Sequence, residues 1–345
     1  MQELIVGISG INAVDNPGPG VGVARALKED PELKLRIVGL AYDAMEPGIY
    51  LDWLIDKTYL MPYPSSGRDA FLERIRSIKE MYGLDFIIPN LDAELPLYIK
   101  YEETLAEMGI RTFLPGQAQY RLRGKDKLLA VADKMKIELP ETRVINSQAE
   151  LGPAMEALGW PLMVKGVFYK AYMAHNSQQV MNYFNQLVAE WGYPVILQRV
   201  VSGEEMNVIG VGDGEGGLLG QVGIKKLWTT SLGKIWTGVT IKNPTMLDAA
   251  KNFVHAYKWK GPYELECKVE GDRVYLIEIN PRFPAWSYFA AGVGMNLPSQ
   301  MLRKAFDIPL AEVNDYEAGK LYIRYTYETI TDMTAFRNMM TRGEN

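Results

Sequence analysis

The sequence predicts a multidomain chain of the α/β and α+β classes, in which a parallel α/β unit precedes a region built largely on antiparallel strands. Three observations predict it. Short β-rich runs at 3–8, 35–40 and 86–89 alternate with helical patterns such as 69–81, where Leu72, Ile75, Ile78 and Met81 recur every three residues. From residue 195 the pattern changes to strands at 195–201, 205–212, 218–224, 263–269 and 273–279, joined by glycine-rich turns and expected to form a sheet with one face covered by helices. Between the two regions, Pro115-Gly116 interrupts the periodicity and marks a domain boundary.

That boundary and the patterns after it divide the chain into 1–114, 115–196 and 197–345. In the middle segment a helix at 125–135 ends before Pro140, and Ser147 with Glu150 forms a capping box for a helix running to Leu158. Ser177 opens another helix, whose Val180, Phe184, Leu187, Val188 and Trp191 share a face until Gly192 stops it. Extended pieces at 161–167 and 169–174 lie between these helices. With 345 residues and 48% hydrophobic content, the chain can build two or three packed units, and only 332–345 reads as loosely tied down.

Composition removes several classes of function. A net charge of -5 with interleaved signs offers no basic stripe for a phosphate backbone, so nucleic acid is not expected as a partner. The opening residues lack the features of a signal peptide, and no run approaches the roughly 18 apolar residues of a membrane span, which leads to the expectation of a cytoplasmic protein without membrane contact. Cys267 is the single cysteine and is expected in the core. His175 and His255 are the only histidines, so the chemistry must rest on carboxylates, lysines and arginines.

The loop 9–22 carries Gly18, Gly20 and Gly22 and superficially matches a dinucleotide fingerprint, with Asp43 as the ribose partner. The glycines stand too far past the first strand, with Pro17 and Pro19 intervening, so the loop reads as substrate-facing or structural.

The strongest chemical signal is Glu266, followed after the turn Gly271-Asp272 by Glu278-Ile279-Asn280-Pro281-Arg282. Alternate residues of a strand share a face, so Glu278, Asn280 and Arg282 point together and the paired strand brings Glu266 alongside. Two carboxylates and an amide suit Mg²⁺ carrying phosphates, and an arginine beside them stabilises a transferring phosphoryl group.

In order and spacing these four residues resemble the ATP-grasp family over about residues 115–310. The resemblance implies a two-subdomain ATP-grasp fold after a Rossmann-like α/β domain, with ATP and Mg²⁺ as cofactors. It implies Glu266, Glu278 and Asn280 as metal ligands and Arg282 and Lys165 as catalytic groups. Lys127 and Lys165 would hold phosphates, Gln198, Arg199 and Val201 would lie at the adenine hinge, and Glu205 would bind the ribose. Lys225, with Lys226 and Lys234, would add positive charge near the phosphates. Asn90, Asp92 and Glu94, after the strand at 86–89, are candidates for substrate recognition, and the aromatic stretch 283–297 either walls an acceptor pocket or packs the core.

The implied activity is activation of a carboxylate as an acyl-phosphate, with release of ADP, for attack by an amine to form an amide or peptide bond. Two alternatives stay open: a bicarbonate-activating enzyme of the carbamoyl-phosphate or biotin-carboxylase kind, and a nucleotide-binding subunit with little turnover. The last is prompted by the segment 166–170, short and with one glycine where the family has a longer glycine-rich loop. A homodimer or a paired ligase-like subunit is the implied assembly.

Overall fold

The computed structural model describes residues 3–14, 17–231, 233–312, 315–326 and 328–345. Parts of two expected features, residues 15–16 of the glycine-containing loop and Leu232 of the loop holding Lys234, lie outside the described residues.

The first sheet is parallel, with β1 (Leu4–Ser9), β2 (Leu35–Ala41), β3 (Lys57–Leu60) and β4 (Phe86–Ile88) in the order β3-β2-β1-β4. Every residue of β1 is buried, as a parallel strand covered on both faces requires. Of the glycines of the first loop, Gly18 lines the cleft and Gly20 is required by close packing. A Cβ at Gly20 would lie 2.1 Å from the Ser9 carbonyl oxygen, because helix Pro19–Lys28 starts against the end of β1. The chain's last residues return to this sheet, with Thr58 and Asn345 exchanging backbone hydrogen bonds and Arg74 donating to the Gly343 carbonyl at 2.7 Å. Residues 332–345 are therefore anchored, through a helix at Met333–Arg342, by backbone pairing that no local pattern announces.

The second sheet is antiparallel, with β5 (Thr142–Ile145), β6 (Leu162–Gly166), β7 (Ala171–Ala174) and β8 (Val195–Arg199) in the order β5-β8-β6-β7. Helices Leu151–Leu158 and Ser177–Trp191 cover it and close a small core around Phe184 and Leu187. The cap of the second helix is Asn176, whose side chain accepts from the Gln179 N–H, one residue before the expected Ser177.

The third sheet has six strands: β9 (Glu204–Asp213), β10 (Leu218–Thr229), β11 (Ile235–Ile241), β12 (Lys260–Glu270), β13 (Arg273–Asn280) and β14 (Leu321–Ile323), ordered β13-β12-β9-β10-β11-β14 and antiparallel. One face packs on helices Leu128–Met135 and Pro244–Tyr257, with Leu265, Cys267 and Ile279 in that core. Cys267 is buried as expected, and burial pushes its thiol pKa up to about 12. The other face shares its core with the first sheet and helices Ser287–Gly292 and Leu297–Ala305. Helix Leu128–Met135, within the segment 115–196, thus packs on the third sheet rather than the second. Among the described residues no helix is long and apolar enough to cross a membrane.

Candidate active site

The cleft lies where the three sheets meet, and its floor is the β12–β13 ladder. Glu266 stands directly opposite Glu278, and Glu264 opposite Asn280. The register slips between Glu266 and Cys267, so that Cys267 pairs with Leu276 and Ile277 is the extra residue of a bulge. The bulge keeps Leu276 in the core while Ile277 lines the cleft beside Glu278. On the neighbouring strand, Asn207 pairs with Glu266 and Glu205 with Lys268, which places them on the same face.

Each acid has a cationic or amide partner. Glu278 Oε1 accepts from Lys125 Nζ at 2.9 Å; Glu266 accepts from Lys226 Nζ at 3.2 Å through Oε2 and from Asn280 Nδ2 at 3.1 Å through Oε1. Lys226 is buried, which would lower its pKa, but Glu266, Glu264 and Glu205 outweigh burial and raise it. Arg282 Nε and Nη2 donate to Asp92 Oδ2 at 3.2 and 3.1 Å, tying the end of the hairpin to the loop after β4. Asp92 also faces Arg123, whose guanidinium packs over Phe168 and Tyr169 at 4.9 and 5.5 Å from the ring centroids.

On the second sheet, Lys165 Nζ donates to Gln198 Oε1 at 2.6 Å, and Gln198 Nε2 donates onward to Thr142 Oγ1 at 2.9 Å. Lys165 is only 5% exposed, and burial, reinforced by the charge of Lys125, lowers its pKa to about 8. Lys125, Lys165 and Gln198 line a cavity of about 500 Å³ with Met163, Met173, Arg199, Val201, Glu205 and Ile277. A second cavity of about 670 Å³ continues from it past Glu266, Asn280 and Arg282 to Asn12, Asn90 and Asp92. The first cavity sets Met163, Met173 and Ile277 beside Lys165, Lys268 and Glu278, and the second gathers Glu264, Glu266, Asn280 and Arg282.

The structure brings together Lys165, Gln198, Arg199, Val201, Glu205, Glu266, Glu278, Asn280 and Arg282, and departs from expectation at two lysines. Lys127 is 61% exposed, pairs with Asp126 and lines neither cavity; Lys125, at 7% exposure, takes its place against Glu278. The expected helix begins at Leu128 rather than at 125, and a turn over 125–127 carries Lys125 inward and Lys127 outward. Lys225 likewise faces Glu204, away from the cleft, because neighbouring residues of β10 point to opposite faces and Lys226 has the inner one. The shared run of two lysines gave no means of choosing the parity.

Two cleft residues carry no signal in the motif. Glu264, 4% exposed, accepts from Asn207 Nδ2 and Trp286 Nε1 at 2.7 Å each and from Asn280 Nδ2 at 3.0 Å; burial, then the charge of Glu266, raises its pKa. Lys268 lines the nucleotide-sized cavity. Alternation along β12 from Glu266 would have placed both on the same face. Of the aromatic stretch, Trp286 reaches the cleft while Phe283 and Phe289 belong to the core.

Among the described residues no three acidic, histidine or cysteine side chains gather as a metal-binding group. The expected donors, Glu266, Glu278 and Asn280, offer two carboxylates and an amide oxygen. This set fits Mg²⁺, which takes few protein ligands and completes its shell with water and phosphate oxygens. Asn280 spends its Nδ2 on Glu264 and Glu266, so its Oδ1 is the atom that could ligate a cation.

No protein-family model matches the chain. Solved structures do. Biotin carboxylase of Campylobacter jejuni in its beta-gamma-ATP complex matches with a TM-score of 0.70 at 15% identity, over 89% of this chain and 72% of that one. The biotin carboxylase domain of Hydrogenobacter thermophilus 2-oxoglutarate carboxylase, in complex with MgADP, ADP and bicarbonate, matches with a TM-score of 0.70 at 16% identity, over 92% and 73%. N5-carboxyaminoimidazole synthase of Aspergillus clavatus, with ADP and 5-aminoimidazole ribonucleotide, matches with a TM-score of 0.66 at 17% identity, over 90% and 78%. At such identities the likeness is one of fold, and the fold is the ATP-grasp fold implied by the Glu266-to-Arg282 motif, preceded by its α/β domain.

Proposed function

We propose that the chain is an ATP- and Mg²⁺-dependent, ADP-forming ligase that activates a carboxylate as an acyl-phosphate for attack by an amine. The observation that carries this reading is the convergence of Glu266, Glu278, Asn280 and Arg282 with Lys125, Lys165 and Lys226 in one cleft.

The apolar end, between Met163, Met173 and Ile277, takes the adenine beside the backbone of Arg199 and Val201, and Glu205 meets the ribose hydroxyls. Lys125 and Lys165 hold phosphate oxygens. Mg²⁺ on Glu266, Glu278 and Asn280 would neutralise charge on the phosphates as the phosphoryl group leaves. Arg282, aimed by Asp92, faces the γ-phosphoryl oxygens. A carboxylate oxygen attacks the γ-phosphorus, the bond to the ADP oxygen breaks, and the acyl-phosphate remains. The amine then attacks the acyl carbon, phosphate leaves, and the amine proton passes to solvent. No protein nucleophile is needed, which agrees with a chain of one cysteine and two histidines.

Glu204 with Lys225 and Asp126 with Lys127 are outside this scheme. The segments 1–114, 115–196 and 197–345 serve as α/β domain, lid and large subdomain, except that helix Leu128–Met135 packs with the large subdomain, β8 stays with the lid to Arg199, and residues 343–345 return to the α/β domain. A second reading, activation of bicarbonate, is favoured by the names of the carboxylases and carboxylating synthases that share the fold.

The test is calorimetric titration of a nonhydrolysable ATP analogue with and without Mg²⁺, on wild type and Glu278→Ala, followed by ADP release with pooled amino acids and, separately, with bicarbonate. Mg²⁺-dependent binding that Glu278→Ala removes supports the site. ADP release driven by bicarbonate alone selects the second reading, and absence of nucleotide binding rejects both.

A further inference from the structure

Three parts of the cleft's surroundings meet at Arg123, a residue that no motif marks. It ends the short helical turn Arg121–Arg123, immediately before Gly124 and Lys125, and its side chain is 9% exposed. Its guanidinium lies 4.8, 4.9 and 5.5 Å from the ring centroids of Tyr120, Phe168 and Tyr169, and Nη2 donates to Tyr169 OH at 3.2 Å. Nη1 faces Asp92 Oδ1 at 3.5 Å. The other oxygen of that carboxylate, Oδ2, accepts from Arg282 Nε and Nη2 at 3.2 and 3.1 Å. One carboxylate thus serves two guanidiniums, one among three aromatic rings and the other at the end of the β12–β13 hairpin.

The turn after β6 is held at the same place. Phe168 gives its ring to Arg123 and its carbonyl oxygen to Lys125 Nζ at 3.0 Å, and the Lys125 N–H donates to the Val167 carbonyl at 3.1 Å. Tyr169 packs on Trp191 with ring centroids 5.6 Å apart, and Lys170 pairs with Glu190. Phe168 and Tyr169 also line the nucleotide-sized cavity. A planar guanidinium can stack on rings and pair with a carboxylate at the same time, which a lysine ammonium does not. Arg123 therefore links a wall of that cavity to the loop after β4.

We propose that Arg123 is a positioning residue for phosphoryl transfer: it holds the Phe168–Tyr169 turn against the cavity and, by sharing Asp92 with Arg282, sets how far Arg282 is available to the γ-phosphoryl group. The assignment rests on the proposed function. Asp92 carries a single charge, and Arg123 offsets part of it. Without that partner the whole charge acts on Arg282, which is then drawn to Asp92 in place of the phosphate, and the loop bearing Asp92 loses its tie to the turn. ADP lacks the γ-phosphoryl group that Arg282 faces, so the effect is confined to the third phosphate.

The experiment measures, by calorimetry on the full chain with Mg²⁺, the affinities of ADP and of the nonhydrolysable ATP analogue, and takes their ratio. Arg123→Met should cut the analogue's advantage over ADP by about tenfold, the scale of one charge-assisted contact, with ADP affinity changed by less than about twofold. Arg282→Met should cut it by a similar factor, and the double variant by little more than either, because one residue acts through the other. Arg123→Lys keeps a cation for Asp92 and should lose less than Arg123→Met. Tyr169→Leu, at a position 38% exposed where loss of the ring leaves no buried charge unpaired, should move the ratio in the same direction and decides the matter should Arg123→Met not fold. A wild type that binds both nucleotides equally, a ratio unchanged in the Arg123 and Tyr169 variants, equal weakening of both nucleotides, or full additivity with Arg282→Met overturns this inference and leaves the ligase reading standing. A wild type that binds neither nucleotide rejects the ligase reading, and the assignment with it.

Discussion

Lys125 Nζ lies 2.9 Å from Glu278 Oε1 and 3.0 Å from the Phe168 carbonyl oxygen, so one ammonium joins the metal-site hairpin to the turn after β6. On the proposed function, phosphates entering the cleft would compete with Glu278 for this lysine, and the freed carboxylate would become available to Mg²⁺. Lys125→Met should therefore weaken Mg²⁺-ATP binding by about tenfold or more, the scale of a charge-assisted contact. Lys127→Met, at an exposed position outside both cavities, should change it by less than about twofold. Calorimetry on the two variants side by side decides which lysine serves the nucleotide.

Glu264 should matter through the residues it holds. It accepts one of the hydrogen bonds that orient the Asn280 amide and holds Trp286 and Asn207 in place. Supporting partners of this kind are typically worth about 10- to 100-fold in metal affinity. Glu264→Gln should raise the Mg²⁺ concentration needed for half-maximal ADP release by about tenfold, with metal-free binding of the nucleotide base unaffected. An unchanged Mg²⁺ requirement would show that Asn280 is held by Glu266 alone.

Lys165 supplies a pH dependence whose direction is fixed by its environment. Burial and the charge of Lys125 bring its pKa to about 8, below the ordinary lysine value, so the free protein loses this proton as pH rises through 8. Phosphates favour the charged form. Nucleotide binding should accordingly weaken above pH 8 and be accompanied by proton uptake there. In Lys165→Met the affinity should be lower throughout and nearly flat between pH 7 and 9. Calorimetric titrations at three pH values in two buffers separate these outcomes.

How much of this was legible follows from how local each signal is. The hairpin was readable because Glu278 and Asn280 are spaced by two on one strand, with Arg282 in the bend just past its end, and the opposing acid is fixed by a short turn. The lysines were harder, since exchanging Lys127 for Lys125 needs the position of a helix start, and choosing Lys226 over Lys225 needs the parity of a strand with an irregular edge near Lys226. Asp92 with Arg282, and the return of Asn345 to Thr58, were illegible for another reason. They join residues 190 and 287 positions apart, and only the packed arrangement of sheets sets them side by side. For Gly18, Gly20 and Gly22 the spacing argued against a dinucleotide site and for a substrate-facing or structural loop; Gly18 lines the cleft and close backbone approach accounts for Gly20.

Stability should depend on a pair far from the cleft. Arg303, 2% exposed on helix Leu297–Ala305, donates from Nη2 to both oxygens of Asp30 at 2.9 Å and to Glu32 at 2.8 Å, tying the third sheet's helices to the loop before β2. Removing one member of a buried pair leaves the other charge without compensation, at about 3–5 kcal/mol. Arg303→Met should therefore lower the unfolding free energy by about that much, measured by denaturant titration. Asp30→Asn with Arg303→Met should recover part of the loss, because no charged carboxylate then remains buried at that position. The sign of the pH effect follows from Asp30. Burial raises its pKa, but hydrogen bonds from Ser299, Arg303 and Glu32 outweigh it and hold the value below the ordinary 3.8. The pair's contribution is thus complete above about pH 4 and lost as pH falls through the depressed value, so the difference between wild type and Arg303→Met should narrow only in acid.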